Sequence, residues 1–258
     1  MIEVGVWGLL DSTNIIEPTI TCITSIGLDH QFLLGNTIEE ISAQKAGIIK
    51  SWVPIVYNTR NKIIHEAAKY LWVKEIFTQR KEKTNLIGLH QEYNAGLAYE
   101  ISNYLWISHK IIWEWLTQVK HRGRLEYMSH NLLIDGAHNE QSMQSLKAYI
   151  WEIEASYKKI ILCVSLKKWK SVELFLNTFW ENYEFIILNI QKEIIEDAQV
   201  LQKEFQDFGI KTQILGVTQV LGWAKKNTET LYVIFWSLYS LPFLLNRRNI
   251  QHISDYNV

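Results

Sequence analysis

Short runs of β-branched and apolar residues alternate along this chain with longer stretches whose apolar positions recur at helical spacing. The runs MIEVGV, TITCITSIG, VPIVYN, LLIDGA, KKIILCVSL, EFIILNI, KTQILG and TLYVIFW read as strands, with helical stretches between most of them. That order predicts an α/β fold with mainly parallel strands. Between YNAGLAYEISNYLWIS and LLIDGAHN the strands stop: a helical stretch gives way to the polar, basic segment VKHRGRLEYMSHN around Gly123, which places a domain boundary near residue 120. The second half has about four strand–helix alternations, enough for a small doubly wound domain. The first half has one helix-rich unit and few strands. Its first strand falls at the extreme N-terminus and leaves a sheet edge unpaired.

Composition narrows the class. With 258 residues, 48% of them hydrophobic, the chain can fill one large core or two small ones. Lys and Arg number 26 against 27 Asp and Glu, a formal net charge of -1, so no global field recruits nucleic acid or an anionic membrane. Any charged ligand is bound locally. The longest apolar stretch, LYVIFWSLYSLPFLL, is too short and mixed for a bilayer and reads as a buried strand running into a helix. Cys22 and Cys163 lie inside apolar β-branched runs and read as buried thiols, which fits a reducing cytoplasm. An average chain with about 7% glycine would carry roughly 18. This one has 12 Gly and 11 Trp.

The strongest chemical signal is TSIGLDHQFLLGNTIEEISAQKAGIIK. Asp29 and His30 follow a strand end, where α/β folds place ligands. His30 is a candidate metal ligand or phosphate contact, with an ordinary surface histidine as the alternative. Thr37 and Glu40 fit a capping box, so a helix starts near residue 38. Ile38, Ile41, Lys45 and Ile48 then share one stripe, which puts Lys45 on the apolar face. Such a lysine either snorkels at the stripe's edge or is paired, depressed in pKa or modified; a desolvated amine can add carbon dioxide to give a metal-binding carbamate.

Two further clusters are weaker. In LLIDGAHNEQSM, Asp135 ends a strand, Gly136 allows a tight turn, and His138 and Asn139 precede a helix whose N-terminus could face an anion. Upstream, Arg122 and Arg124 flank Gly123 as a phosphate clamp. Helix capping by Asn139 and solvated arginines explain the same residues. In GLHQEYNAGLAYEI, His90, Gln91 and Asn94 occupy a helix N-terminus, with Asn94 either reading a base edge or lying on a plain surface helix. No CxxC, HExxH, GxSxG or G-x-x-x-x-G-K-[ST] motif occurs.

In this order, EVGVWGLLDSTN, ITSIGLDHQFLLGNTIEEISAQKAGIIK, HQEYNAGLA, GRLE, DGAHN and FWSLY resemble the folylpolyglutamate synthase and dihydrofolate synthase family of the Mur ligase superfamily. The resemblance covers nearly the whole chain, and DGAHN favours the folate branch over the muramyl ligases. It implies the C-terminal part of a central P-loop-type ATPase domain over residues 1–119, then a smaller Rossmann-like C-terminal domain over 120–258. The implied reaction joins L-glutamate to dihydropteroate or folate, using ATP to form an acyl phosphate that the glutamate amine attacks. By the same resemblance, Glu3 and His30 match Mg2+ ligands, and Lys45 matches a carboxylated lysine. Asn94, Arg124 and Asp135 match ATP-contacting positions. Leu10, Asp11 and Ser12 match the stretch beside the pterin, and His138 matches a histidine near the reacting groups. Family members usually work as monomers, with small-molecule partners only.

Two departures bear on these expectations. The family's N-terminal segment, with its glycine-rich phosphate loop, has no counterpart here, so the ATP phosphates lack their cradle and the chain alone is expected to be inactive. A muramyl-type ligase and a non-catalytic nucleotide-binding remnant are the alternatives. Second, the family has glycine where this chain has Trp7, Trp52, Trp115 and Trp236, and arginine where it has Leu9. A codon that the source organism reads as glycine, most simply UGA, would account for the tryptophans and for the glycine deficit together; a decaying gene copy is the alternative.

Overall fold

The computed structural model describes residues 1–168, 171–179 and 183–235. The chain divides into two compact units, Met1–Lys120 and His121–Val258.

The first unit contains a parallel three-stranded sheet in the order β1 (Thr21–Ile23), β2 (Ile55–Tyr57), β3 (Glu75–Phe77). Helices α1 (Gln31–Leu34) and α2 (Ile38–Ala46) connect β1 to β2, and α3 (Lys62–Tyr70) connects β2 to β3. Two longer helices follow, α4 (Leu89–Tyr104) and α5 (His109–Gln118). Every residue of β2 is buried, as a central parallel strand covered on both faces requires. Its Ile55 and Tyr57 pack with Ile23, Ala46, Ile64 and Ala68. The Thr37–Glu40 capping box is present and starts α2 at Ile38.

The second unit is a six-stranded sheet. Its antiparallel edge is β4 (Glu126–Ser129), paired with β5 (Leu132–Ile134). Next come β9 (Thr230–Phe235), β6 (Lys159–Val164), β7 (Glu184–Leu188) and β8 (Thr212–Leu215), all parallel to β5. The crossovers are α6 (Glu140–Ile153), α7 (Val172–Phe179), α8 (Ala198–Asp207) and α9 (Val217–Lys226). One cluster of the core is aromatic: the Phe175 ring lies 5.4 Å from Phe179 and Phe185 and 5.7 Å from Phe205 and Phe235. Another is aliphatic, built on Leu132, Ile134, Ile186, Val220 and Ile234, and takes in the buried thiol of Cys163. At the base of β5, buried Asn131 donates its side-chain amide to the carbonyls of Ala224, Asn227 and Thr230, which ties the α9–β9 turn to the sheet.

The α/β class with mainly parallel strands is what the residue pattern predicts. Three local expectations differ. MIEVGV is not a strand; residues 1–10 form an irregular segment that bonds to the end of α2 instead of a sheet. Two short, half-exposed strands go unannounced by periodicity, β3 and β4, the latter inside the stretch expected to lack strands. The helix expected after β9 lies outside the described residues.

Three tryptophans hold backbone conformations that suit glycine: Trp52, Trp72 and Trp106 have φ of 68°, 55° and 61°. Trp72 and Trp106 sit just past the C-caps of α3 and α4. There Trp72 N–H bonds Lys69 O and Val73 N–H bonds Ala68 O, while Trp106 N–H bonds Asn103 O and Ile107 N–H bonds Ser102 O. This is the paired Schellman pattern, whose left-handed position is usually glycine. The end of α8 has the same pair of bonds, Gly209 N–H to Gln206 O and Ile210 N–H to Phe205 O, and there the left-handed residue is Gly209, φ 77°. Trp52 is the third residue of the turn closed by Val53 N–H to Lys50 O. All three indoles are about nine-tenths exposed, so no packing offsets the strain. Of the positions where the family has glycine, Trp7 and Trp115 lack left-handed backbone, Trp115 lying within α5, and Trp236 is outside the described residues.

Replacing Trp52, Trp72 and Trp106 each by glycine is expected to stabilise the chain by about 1 kcal/mol per site, the cost of a left-handed non-glycine residue. Thermal unfolding of W72G and W106G checks this, with W151G, at an exposed position within α6, as a helical control that destabilises. Peptide mass spectra of the protein from its natural source are expected to read glycine at 52, 72 and 106; tryptophan there refutes the reassigned codon.

Candidate functional site

In the first unit the residues singled out by sequence gather where the N-terminal segment meets α2. Gly8, with φ 139°, passes so close that a Cβ on it would lie 2.2 Å from Gln44 O. Leu9 N–H bonds that same carbonyl at 2.8 Å. Asn14 then clamps both strands of the contact, donating to Leu9 O at 3.0 Å and Gly47 O at 3.1 Å. Over this seam Lys45 Nζ donates to Val6 O.

Lys45 lies at the margin of the apolar face of α2. The face's buried residues are Ile41, Ser42 and Ala46, Lys45 itself is half-buried, and Ile48 falls beyond the helix end. Burial pushes its amine below the usual lysine range, while the carboxylates of Asp11 and Asp29 pull the other way. A larger share of free amine is therefore present near neutrality than on a surface lysine.

Asp11 holds its own loop in shape. It caps a short 3₁₀ turn, Ser12–Ile15, with Oδ1 accepting from Thr13 N–H and Oγ1 while Oδ2 accepts from Val6 N–H. The Thr13 hydroxyl, then the Val6 and Thr13 amides, hold its carboxyl down to about 2. Leu10 and Ser12 beside it are exposed.

Glu3 and His30 are also exposed. His30 sits in left-handed backbone, φ 50°, at the N-cap of α1, with its N–H on Asp29 Oδ1 at 2.8 Å. Among the described residues no group of three or more His, Cys, Asp or Glu side chains is arranged to hold a metal ion. On α4, Asn94 is exposed and donates to buried Gln91 at 3.2 Å. The glycine of that motif serves packing, since a Cβ on Gly96 would lie 2.0 Å from Arg80 O.

In the second unit GRLE and DGAHN form one hydrogen-bonded lock. Asp135 Oδ2 accepts from Leu125 N–H at 2.8 Å and Oδ1 from Ala137 N–H at 2.7 Å. Gly136 N–H bonds Gly123 O at 2.7 Å. Burial raises the Asp135 carboxyl, opposed by the Leu125 and Ala137 amides and by the charges of Arg124 and His138. Each of its oxygens thus accepts a backbone N–H, which ties the two turns together. Glu126, which sequence reasoning passed over, also takes part: it accepts Gly123 N–H at 2.8 Å and pairs with Arg122 at 2.6 Å. That leaves Arg124, half-exposed, as the arginine of this turn without the Glu126 pairing. His138 Nδ1 contacts Gly136 O at 2.8 Å, which favours the tautomer with Nδ1–H and directs the lone pair to Nε2. Asn139 caps α6 through Ser142, as the capping alternative expects.

Asp135→Asn keeps the shape but sets an amide N–H₂ against one of two backbone N–H donors. A loss of about 2 kcal/mol in unfolding free energy is expected, read by denaturant titration, with Asn139→Asp as a near-neutral control that preserves a capping acceptor.

No family model matches the chain. It is 29% identical over 290 aligned positions, covering 95% of this chain and 66% of the relative, to the dihydrofolate synthase/folylpolyglutamate synthase of Bacillus subtilis. It is 42% identical over 113 positions, 39% of this chain and 22% of the relative, to the folylpolyglutamate synthase of Candida albicans. Among solved structures it matches the Mycobacterium tuberculosis folylpolyglutamate synthase complexed with ADP and AMPPCP at a TM-score of 0.80 and 20% identity, over 95% of this chain and 67% of that one. The bifunctional Yersinia pestis synthase complexed with AMPPNP and Mn ion matches at 0.79 and 20%, over 94% and 64%. The chain thus spans about two thirds of the length of the Bacillus relative. Motif order, fold and matched sequence thus all point the same way: this chain is similar to the folylpolyglutamate synthases and dihydrofolate synthases.

Proposed function

We propose that this chain supplies two of the working parts of an ATP-dependent ligase that joins L-glutamate to dihydropteroate or folate. The observation that carries the reading is the match to the Bacillus synthase along 95% of the chain. In that reaction the terminal phosphoryl of ATP passes to the substrate carboxylate, the glutamate amine attacks the acyl phosphate, and inorganic phosphate leaves as the amide forms.

The residues divide by role. Lys45, with its lowered pKa, is the amine that adds carbon dioxide and releases a proton to become a carbamate. That carbamate with Glu3 and His30 would hold Mg2+. The absence of a ready cluster of acidic and histidine donors among the described residues is consistent with a set that is complete only after modification. A bound ion would neutralise charge on the phosphoryl group. Asn94 and Arg124 contact the nucleotide, and Asp135 holds the turn that carries Arg124. Leu10, Asp11 and Ser12 form the substrate-side loop, which Asp11 keeps in shape. His138 presents Nε2 toward the reacting groups. The units are the C-terminal part of the ATPase domain and the C-terminal ligase domain of the family.

A second reading has its own observation. The 258 residues contain no G-x-x-x-x-G-K-[ST] loop, so a chain of this sequence lacks those amides and that lysine and binds nucleotide without turning it over.

Two measurements test these assignments. Protein equilibrated with ¹³C-bicarbonate is expected to show a carbamate carbon resonance that vanishes in K45A; the same spectrum for both removes Lys45 from the metal set. The purified chain is expected to bind ADP, about tenfold more weakly in R124A, and to incorporate no glutamate into dihydropteroate or folate. Glutamate ligation by this chain alone refutes the inactivity, and unchanged ADP binding in R124A removes the clamp.

A further inference from the structure

We propose that the groove at the C-terminal ends of β2 and β3 is a second small-molecule site, one that takes a flat aromatic body carrying a single phosphate or carboxylate. The cavity is about 280 Å³ and is lined by Tyr57, Thr59, Arg60, Asn61, Lys62, His65 and Phe77, all in the first unit. It occupies the end of the sheet where parallel α/β folds bind ligands.

Its walls supply both halves of such a ligand's recognition. Tyr57 and Phe77 stand side by side on adjacent strands, ring centroids 5.5 Å apart and tilted by 54°. Phe77 is 43% exposed, an aromatic face left open to solvent at a strand end. Around the rings stand Arg60, Lys62 and His65. Among the described residues Arg60 enters no ion pair, and Lys62 has only the exposed Glu66 one helical turn away, at 3.4 Å.

The nearest carboxylate is held in the groove wall by its own partners. Glu75 Oε2 accepts the Tyr57 hydroxyl at 2.5 Å and meets His65 Nδ1 at 2.9 Å. That pairing turns the phenol away as a donor and leaves Nε2 as the remaining polar atom of His65. Asn61 is likewise spent, its Oδ1 capping α3 at Ile63 and its Nδ2 on Ser42 Oγ at 2.6 Å. What lines the groove is therefore the open face of Phe77, with the buried Tyr57 ring beside it, and the cationic groups of Arg60 and Lys62. An aryl anion satisfies both, whereas an apolar ring leaves Arg60 unused and a bare anion leaves Phe77 wet.

The test is a titration followed by the ring signals of Tyr57, His65 and Phe77 in two-dimensional NMR, with four probes: 1-naphthyl phosphate, 1-naphthoate, 1-naphthol and inorganic phosphate. The two aryl anions are expected to shift all three rings saturably, with naphthol and phosphate at least tenfold weaker. R60A, at an exposed position that leaves the fold intact, is expected to weaken naphthyl phosphate about tenfold, with R60K recovering part of it. Equal binding of naphthol makes the groove merely apolar, equal binding of phosphate makes it merely cationic, and an unchanged R60A or shifts confined to other residues overturns the site. The readout is local to these rings, so it stands or falls separately from ligase activity and from nucleotide binding at Arg124.

Discussion

Close passage of one backbone over another, with no room for a side chain between, is the constraint on which the first unit depends. The N-terminal segment has no sheet partner, so its order rests on the seam where Gly8 crosses Gln44 and Leu9 bonds the same carbonyl. Everything assigned to that segment follows from the seam. Lys45 reaches Val6 because Gly8 lets the two segments touch, and Asp11 completes the loop by gathering the amides of Val6 and Thr13. A Cβ at Gly8 would part the seam and move the Lys45 amine back toward water, which would return its pKa to the surface range.

The second unit solves the same problem with a buried charge. Asp135 stands between two turns and bonds an amide from each, and the Gly123–Gly136 contact closes the pair. A carboxylate removed from water is costly unless it is hydrogen-bonded, and here each oxygen accepts a backbone N–H. This is why Arg124 and His138, fourteen residues apart in sequence and both close enough to act on Asp135, are carried on loops with fixed bases.

How much of this could be read from the sequence depended on the range of the interaction. Alternating apolar runs and the Thr37–Glu40 box are local signals, and they located the α/β class and the start of α2. MIEVGV misled because β-branched residues only say that a segment is extended and half-buried; they do not say whether its partner is a strand or a helix end. The short strands β3 and β4 carry too few residues for alternation to register, and both are half-exposed. Lys45 was legible as an apolar-face lysine, but Asp11 and Asp29, which set its charge balance, are brought in by tertiary contact. The engagement of both Asp135 oxygens and the part played by Glu126 have no periodicity to announce them.

The tryptophans carry the reading of the sequence one step further. A Schellman ending is defined by two backbone bonds, and among the described residues it occurs at Trp72, Trp106 and Gly209. The bonds depend only on the left-handed φ, so the geometry is the same whichever residue occupies the position. Selection for stability acts on that residue, and an exposed indole gains no burial to offset a backbone cost of about 1 kcal/mol. One such position is ordinary drift. Two helix ends and a turn in the same unit, all filled by tryptophan in a chain short of glycine, are what a codon read as glycine in the source organism would produce. The backbone, in this view, still follows the glycine chain, and the indoles are attached to a fold that was selected without them.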